Sequence, residues 1–151
     1  MKTVHVAAAV IRQGDALFAT QRGHGSGCGR WEFPGGKIEP GETPEEALKR
    51  EIREELETVI EPEERIAVIE CDYPDFHLSM DCWFCRIVSG SPKLTEHSSA
   101  RWLRLSELDE PDWLPADRIL IEKIREMESG IQGQAKRRGN PGNPGTEGAG
   151  V

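Results

Sequence analysis

The stretch Gly36–Glu57, GKIEPGETPEEALKREIREELE, decides how the rest of the chain is read. Thr43 is placed to cap a first turn, Pro44 suits the first helical position, and Glu46 completes a T-x-x-E capping box. These signals predict a helix from Pro44 to about Leu56. At roughly 100° per residue, Glu51, Glu54 and Glu55 fall within about a third of its circumference. Leu48, Ile52 and Leu56, each four apart, line the adjacent face. Burying that apolar line holds three carboxylates at the edge of a core.

Anions this close repel one another, by a few tenths of a kcal/mol for each i, i+4 pair. With nothing to offset the repulsion, a Glu-rich helix is simply a solvated face. A hard divalent cation would offset it, and Mg²⁺ is typically held by one or two carboxylates together with waters and substrate phosphates. Arg50 lies i, i+4 from Glu54 and is placed to orient that carboxylate. Just upstream, Gly35 and Gly36 let the backbone approach a ligand closely, and a carbonyl there is a candidate oxygen ligand. Lys37 is a candidate for phosphate contact.

Outward from this helix, Val4–Ile11 is apolar on both alternating faces and predicts a covered strand. Gly14-Asp15 turns it into a second strand, Ala16–Gln21. Residues 23–30 form a glycine-rich loop expected to be mobile, and Trp31-Glu32-Phe33 leads into a Pro34-Gly35-Gly36 turn. Strands at Arg65–Asp72 and His77–Val88 flank a Tyr73-Pro74-Asp75 turn. A further strand, Ala100–Leu105, precedes a helix over about Ala116–Glu128 with Leu120, Ile124 and Met127 on one face. From Gly130 the chain is rich in Gly, Asn and Pro and lacks apolar periodicity. Residues 1–129 are therefore read as one domain and 130–151 as a disordered tail.

The 151 residues suffice for one domain with a real core. A net charge of -8 leaves no broad basic surface for counterion release, so polymeric nucleic acid is not an expected partner. No apolar run is long enough to span a membrane, and a cytoplasmic location is expected. Cys82-Trp83-Phe84-Cys85 has C-x-x-C spacing, but an odd separation in a strand sends the thiols to opposite faces. Cys28, Cys71, Cys82 and Cys85 are all read as buried apolar residues. The four histidines lack ligand spacing, and the tryptophans read as core.

The order Gly36, five residues, Glu42, seven residues, Arg50-Glu51-Ile52, one residue, Glu54-Glu55 resembles the signature box of the Nudix hydrolase family. Trp31-Glu32-Phe33-Pro34-Gly35-Gly36-Lys37 resembles its MutT-like and CTP pyrophosphohydrolase-like branch, and the resemblance covers roughly residues 3–128. It implies an α/β (α+β) fold, a mixed central sheet between helices in an α/β/α sandwich. That agrees with the strands and helices read above. It also implies metal ligands at Glu51, Glu54, Glu55 and the Gly36 carbonyl region, for Mg²⁺ with Mn²⁺ as an alternative. Glu96, six residues before Trp102, matches an acidic residue that completes the metal site or acts as base in this branch. The catalytic base is Glu54 or Glu96, and Arg50 supports it. One departure stands out: Glu57 occupies the place where the box has Gly, which leaves the helix's exit turn open.

The same resemblance implies that Arg22, Phe33 and Asp117 read the base. An ionised carboxylate at Asp117 accepts from a base amino group, whereas a protonated one in a dry pocket reads a carbonyl. The expected activity is hydrolysis of a nucleoside triphosphate to monophosphate and pyrophosphate. Its candidate roles are cleansing of 8-oxo-dGTP or turnover of CTP and modified pyrimidine nucleotides. The alternatives are a non-catalytic Nudix-fold ligand sensor and a hydrolase of another nucleoside diphosphate compound such as ADP-ribose. The expected partner is a small nucleotide, and the expected state is monomer or homodimer.

Overall fold

The structure, a computed structural model, describes residues 1–93 and 97–138. Ala7, Ala8, Ala9, Val10 and Ile11 are all buried, so this part of the first strand is covered on both faces. Strand β1 (Lys2–Gln13) accordingly lies inside the sheet and turns at Gly14 into β2 (Ala16–Arg22). Two short strands follow, β3 (Trp31–Glu32) and β4 (Gly35–Lys37), and then helix α1 (Pro44–Leu56). Long strands β5 (Val59–Asp72) and β6 (Phe76–Ser89) form a hairpin, and β7 (His97–Arg104) and α2 (Pro115–Arg138) complete the order.

The sheet runs β3-β2-β1-β6-β5, with β4 added to β1 and β7 to β2. Among the strands of the described residues, β1 and β6 alone pair in parallel, in register from Lys2–Phe76 to Arg12–Arg86. The protein is thus a mixed α+β fold with a central mixed sheet and two helices. Leu48, Ile52 and Leu56 of α1 pack with Ala7, Ala9 and Ile11 of β1 and Cys85 of β6 in one core cluster. The alternate residues of β1 and β6, Val6, Ala8, Leu78 and Met80 among them, face the other way and line a cavity.

Helix α1 starts and ends as the sequence predicts. Three expectations are corrected. Pro34-Gly35-Gly36 is not simply a turn, because Gly35–Lys37 pairs with Ala8–Val6 of β1. A Cβ on Gly35 would lie 2.0 Å from the Ala7 carbonyl oxygen, so only glycine allows this approach. Cys82 and Cys85 are buried as expected, and burial pushes both thiols up, Cys85 to about 12. Cys28, however, is exposed on the glycine loop and Cys71 is only half-buried.

The chain divides into two units, Met1–Leu120 and Ile121–Val151. In the second, α2 runs on to Arg138, beyond the expected end near Glu128. Gly130 and Gly133 each cost a helix only about 1 kcal/mol, and the Gln, Ala, Lys and Arg residues around them are good helix formers. Residues 139–151 of the expected tail, and Glu96, lie outside the described residues. Among the described residues no helix is long and apolar enough to cross a membrane.

Candidate active site

Thr43 accepts from the Glu46 amide at 3.1 Å and Glu46 accepts from the Thr43 amide at 2.9 Å, which closes the capping box that starts α1. Arg50 then ties the helix to the loop before it. Its guanidinium grips Glu42 with a fork, Nε to Oε2 at 2.6 Å and Nη2 to Oε1 at 2.9 Å. It also donates to Glu51 at 2.9 Å and to the Lys37 carbonyl at 3.0 Å. The expected Glu54 contact is its longest carboxylate hydrogen bond, at 3.4 Å. Planar, two-point pairing with Glu42 outcompetes a single contact one turn away. Arg50 therefore acts first as a staple from loop to helix. The Arg50 hydrogen bonds and the Glu39 amide hold the Glu42 carboxyl down at about 2.

The three helix carboxylates differ in setting. Glu51 is 15% exposed, and its carboxylate covers Gly36, where a Cβ would come within 2.6 Å of both oxygens. Glu54 is 60% exposed, and Glu55 opens onto a cavity beside Gly36 and Lys37. Among the described residues no three acidic, imidazole or thiol groups already converge on one point. The donor chemistry nevertheless fits a hard divalent cation. Three carboxylates share a helix face, and one of them is pressed against a glycine backbone that leaves room for it.

Two cavities adjoin, sharing Val6, Arg22, Glu32, Gly35, Gly36 and Phe76 among their walls. The inner one holds about 330 Å³ and is bounded by Phe33, Tyr73, Leu114 and Asp117. The outer one holds about 560 Å³ and is bounded by His24, Lys37 and Glu55. Expected site residues are thus gathered along one cleft, with Asp117 at one end and Glu55 at the other. Glu51, Glu54 and Arg50 stand beside it on α1 and line neither cavity.

The start of α2 reaches the inner cavity because Trp31 and Trp113 form a bridge. The Trp31 amide donates to Asp112 O, and the Leu114 amide donates to Trp31 O, both at 2.9 Å. Phe33 stacks on Trp113 with centroids 4.9 Å apart. Its amide donates to Asp117 Oδ1 at 2.9 Å. Burial pushes the Asp117 carboxyl up to about 8, against the Phe33 hydrogen bond that lowers it. Burial also raises Glu32, despite its 3.2 Å pair with Arg22. Arg22 Nε is buried without a hydrogen-bond partner among the described residues.

Glu32, Tyr73 and Phe76 are among the cavity residues absent from the expected site. Tyr73 and Phe76 stack at 5.0 Å, nearly parallel, where only a turn was expected. The alternation of Phe76, Leu78 and Met80 along β6 was the available signal.

The NUDIX domain profile matches residues 1–124. The chain belongs to the Nudix family. The 8-oxo-dGTP diphosphatase of Escherichia coli K12 is 33% identical over 129 residues, 84% of this chain and 100% of that protein. The CTP pyrophosphohydrolase of the same organism is 33% identical over 123 residues, 81% of this chain and 91% of that protein. A crystal structure of a MutT Nudix hydrolase from Burkholderia pseudomallei matches with TM-score 0.72 at 27% identity. It covers 82% of this chain and 99% of that one. Nudix hydrolases are generally dependent on divalent metal ions. Glu57, at the Nudix box Gly position, takes the left-handed conformation, φ 53° and ψ 41°, so the exit turn of α1 forms without glycine.

Proposed function

We propose that this Nudix protein is a Mg²⁺-dependent nucleoside triphosphate pyrophosphohydrolase whose cleft best suits 8-oxo-dGTP. The observation that carries this reading is the buried Asp117 in the wall of a cleft that continues to Glu55 and Lys37. A carboxyl kept neutral by burial offers an O–H to a base carbonyl, while its other oxygen accepts from the Phe33 amide. The resemblance to an 8-oxo-dGTP diphosphatase supports the same substrate. CTP is the second reading, supported by the similar CTP pyrophosphohydrolase; it requires Asp117 to ionise and accept from an amino group.

Glu51, Glu54, Glu55 and the Gly36 carbonyl would hold Mg²⁺, with Mn²⁺ as a substitute. The bound ion supplies Lewis-acid stabilisation of the phosphoryl oxygens. Water attacks a phosphorus of the α–β linkage, the bridging P–O bond breaks, and monophosphate and pyrophosphate leave. Glu54, the most exposed of the three carboxylates, takes the proton from that water, and Glu96 is the other candidate. Arg50 positions Glu51 and Glu54, and Lys37 meets the phosphates from the outer cavity. The activity resides in residues 1–129, in a cytoplasmic monomer or homodimer acting on free nucleotides.

The test is product analysis with Mg²⁺ across 8-oxo-dGTP, dGTP, CTP and ADP-ribose. Pyrophosphate is expected from 8-oxo-dGTP, with turnover at least about 100-fold lower in Glu54→Gln. Near wild-type turnover in that variant would remove Glu54 from the mechanism. Absence of turnover on every substrate would favour a ligand sensor.

A further inference from the structure

Tyr73 closes the inner cavity from the β5–β6 turn, and its ring is fixed by Phe76 on one side. Its hydroxyl oxygen accepts from the Ala116 amide at 3.3 Å, one of the first-turn amides of α2 that has no partner inside the helix. A phenol has one O–H to give, and the hydrogen bond this hydroxyl makes among the described residues is one it accepts. The neighbouring residue of α2 is Asp117, whose Oδ1 is taken by the Phe33 amide. At this end of the cleft the Tyr73 hydroxyl and the Asp117 carboxyl each accept from a backbone amide. The Tyr73 O–H is left to donate, and a base that satisfies it must offer an acceptor at that position.

We propose that Tyr73 is a specificity-determining residue, its hydroxyl donating to a carbonyl of the substrate base and so selecting keto bases over their amino counterparts. The inference rests on the proposed nucleotide hydrolysis and assigns its base preference to a group beyond Asp117. A site built to donate rejects an amino group at that position, because two donors then face each other and one buried group loses its partner.

The experiment compares kcat/KM for dITP against dATP and for UTP against CTP, in wild type and in Tyr73→Phe, with a thermal melt of each protein. Each pair contrasts a keto with an amino group at one ring carbon. The wild type is expected to favour the keto member, and Tyr73→Phe to shrink that preference about tenfold, the worth of one neutral hydrogen bond. The lost Ala116 contact lowers stability and slows both members alike, so the ratio isolates the base-reading role. An unchanged ratio, or a wild type indifferent to keto and amino bases, overturns the proposal for Tyr73. A wild type that hydrolyses none of the four nor 8-oxo-dGTP overturns the nucleotide hydrolysis on which it rests.

Discussion

Asp117 sits 4% exposed in the first turn of α2, with one oxygen bonded to the Phe33 amide. Desolvation raises its folded-state value from the ordinary 3.8 to about 8, while the helix N-terminus and the Phe33 amide pull the other way. Between about pH 4 and pH 8 the unfolded chain has released a proton that the folded chain keeps. Stability contributed by this group is therefore full below pH 4 and falls as pH rises through that window. Asp117→Asn removes the titration. Its stability relative to wild type should grow from pH 4.5 to pH 8 by about 4 kcal/mol, read from urea unfolding at the two pH values. A constant difference would mean that Asp117 is ionised throughout, which favours the amino-base reading. Asp117 was legible through the family resemblance. Its protonation was not, because burial depends on Phe33 and Tyr73, distant in sequence.

Helix α1 shows how far local signals reach. Thr43, Pro44 and Glu46 specify its start, and the four-residue spacing of Leu48, Ile52 and Leu56 specifies its buried face. Its other end breaks the local rule: Glu57 is the only non-glycine residue with positive φ among the described residues. A left-handed conformation costs a residue with a Cβ roughly 1–2 kcal/mol. It persists here because the Glu57 amide still bonds to Arg53 O, and the buried Thr58 hydroxyl donates to Leu56 O. Its ion pair with Lys93 is long and exposed, worth little. Glu57→Gly should therefore stabilise the protein by about 0.5–1 kcal/mol, the relief of strain less the added unfolded-state freedom of glycine. A melting temperature raised by a few degrees with unchanged turnover is the expected result; a lowered one would show that Glu57 makes a contact outweighing its strain. The short strands β3 and β4 were elements that local reading missed, and β4 shows why. Its identity as a strand depends on Ala7 and Ala8 of β1, and Pro34-Gly35-Gly36 by itself carries only turn chemistry.

Across the molecule, the parallel β1–β6 pairing brings Leu78 and Met80 beside Val4 and Val6, and thus builds a wall of the cleft from residues some 70 positions apart. The alternation along β6 marks a buried face but not the strand it pairs with, so the carboxylate face was legible in the sequence while this wall was not. The consequence is a cleft with two separable ends. At one, Tyr73 and Asp117 are fixed by backbone amides; at the other, Gly36, Lys37 and Glu55 stand next to Glu51. An ion that binds only the folded carboxylate face stabilises the protein by mass action, about 2.7 kcal/mol at 100 times its Kd. Melting in Mg²⁺ should therefore rise by several degrees over a sodium chloride control of equal ionic strength. Glu51→Gln should abolish that rise, since it removes the carboxylate seated on Gly36, whereas Asp117→Asn and Tyr73→Phe should keep it in full. A rise that survives in Glu51→Gln would place the ion away from α1, and a rise lost in Asp117→Asn would couple the two ends that the geometry holds apart.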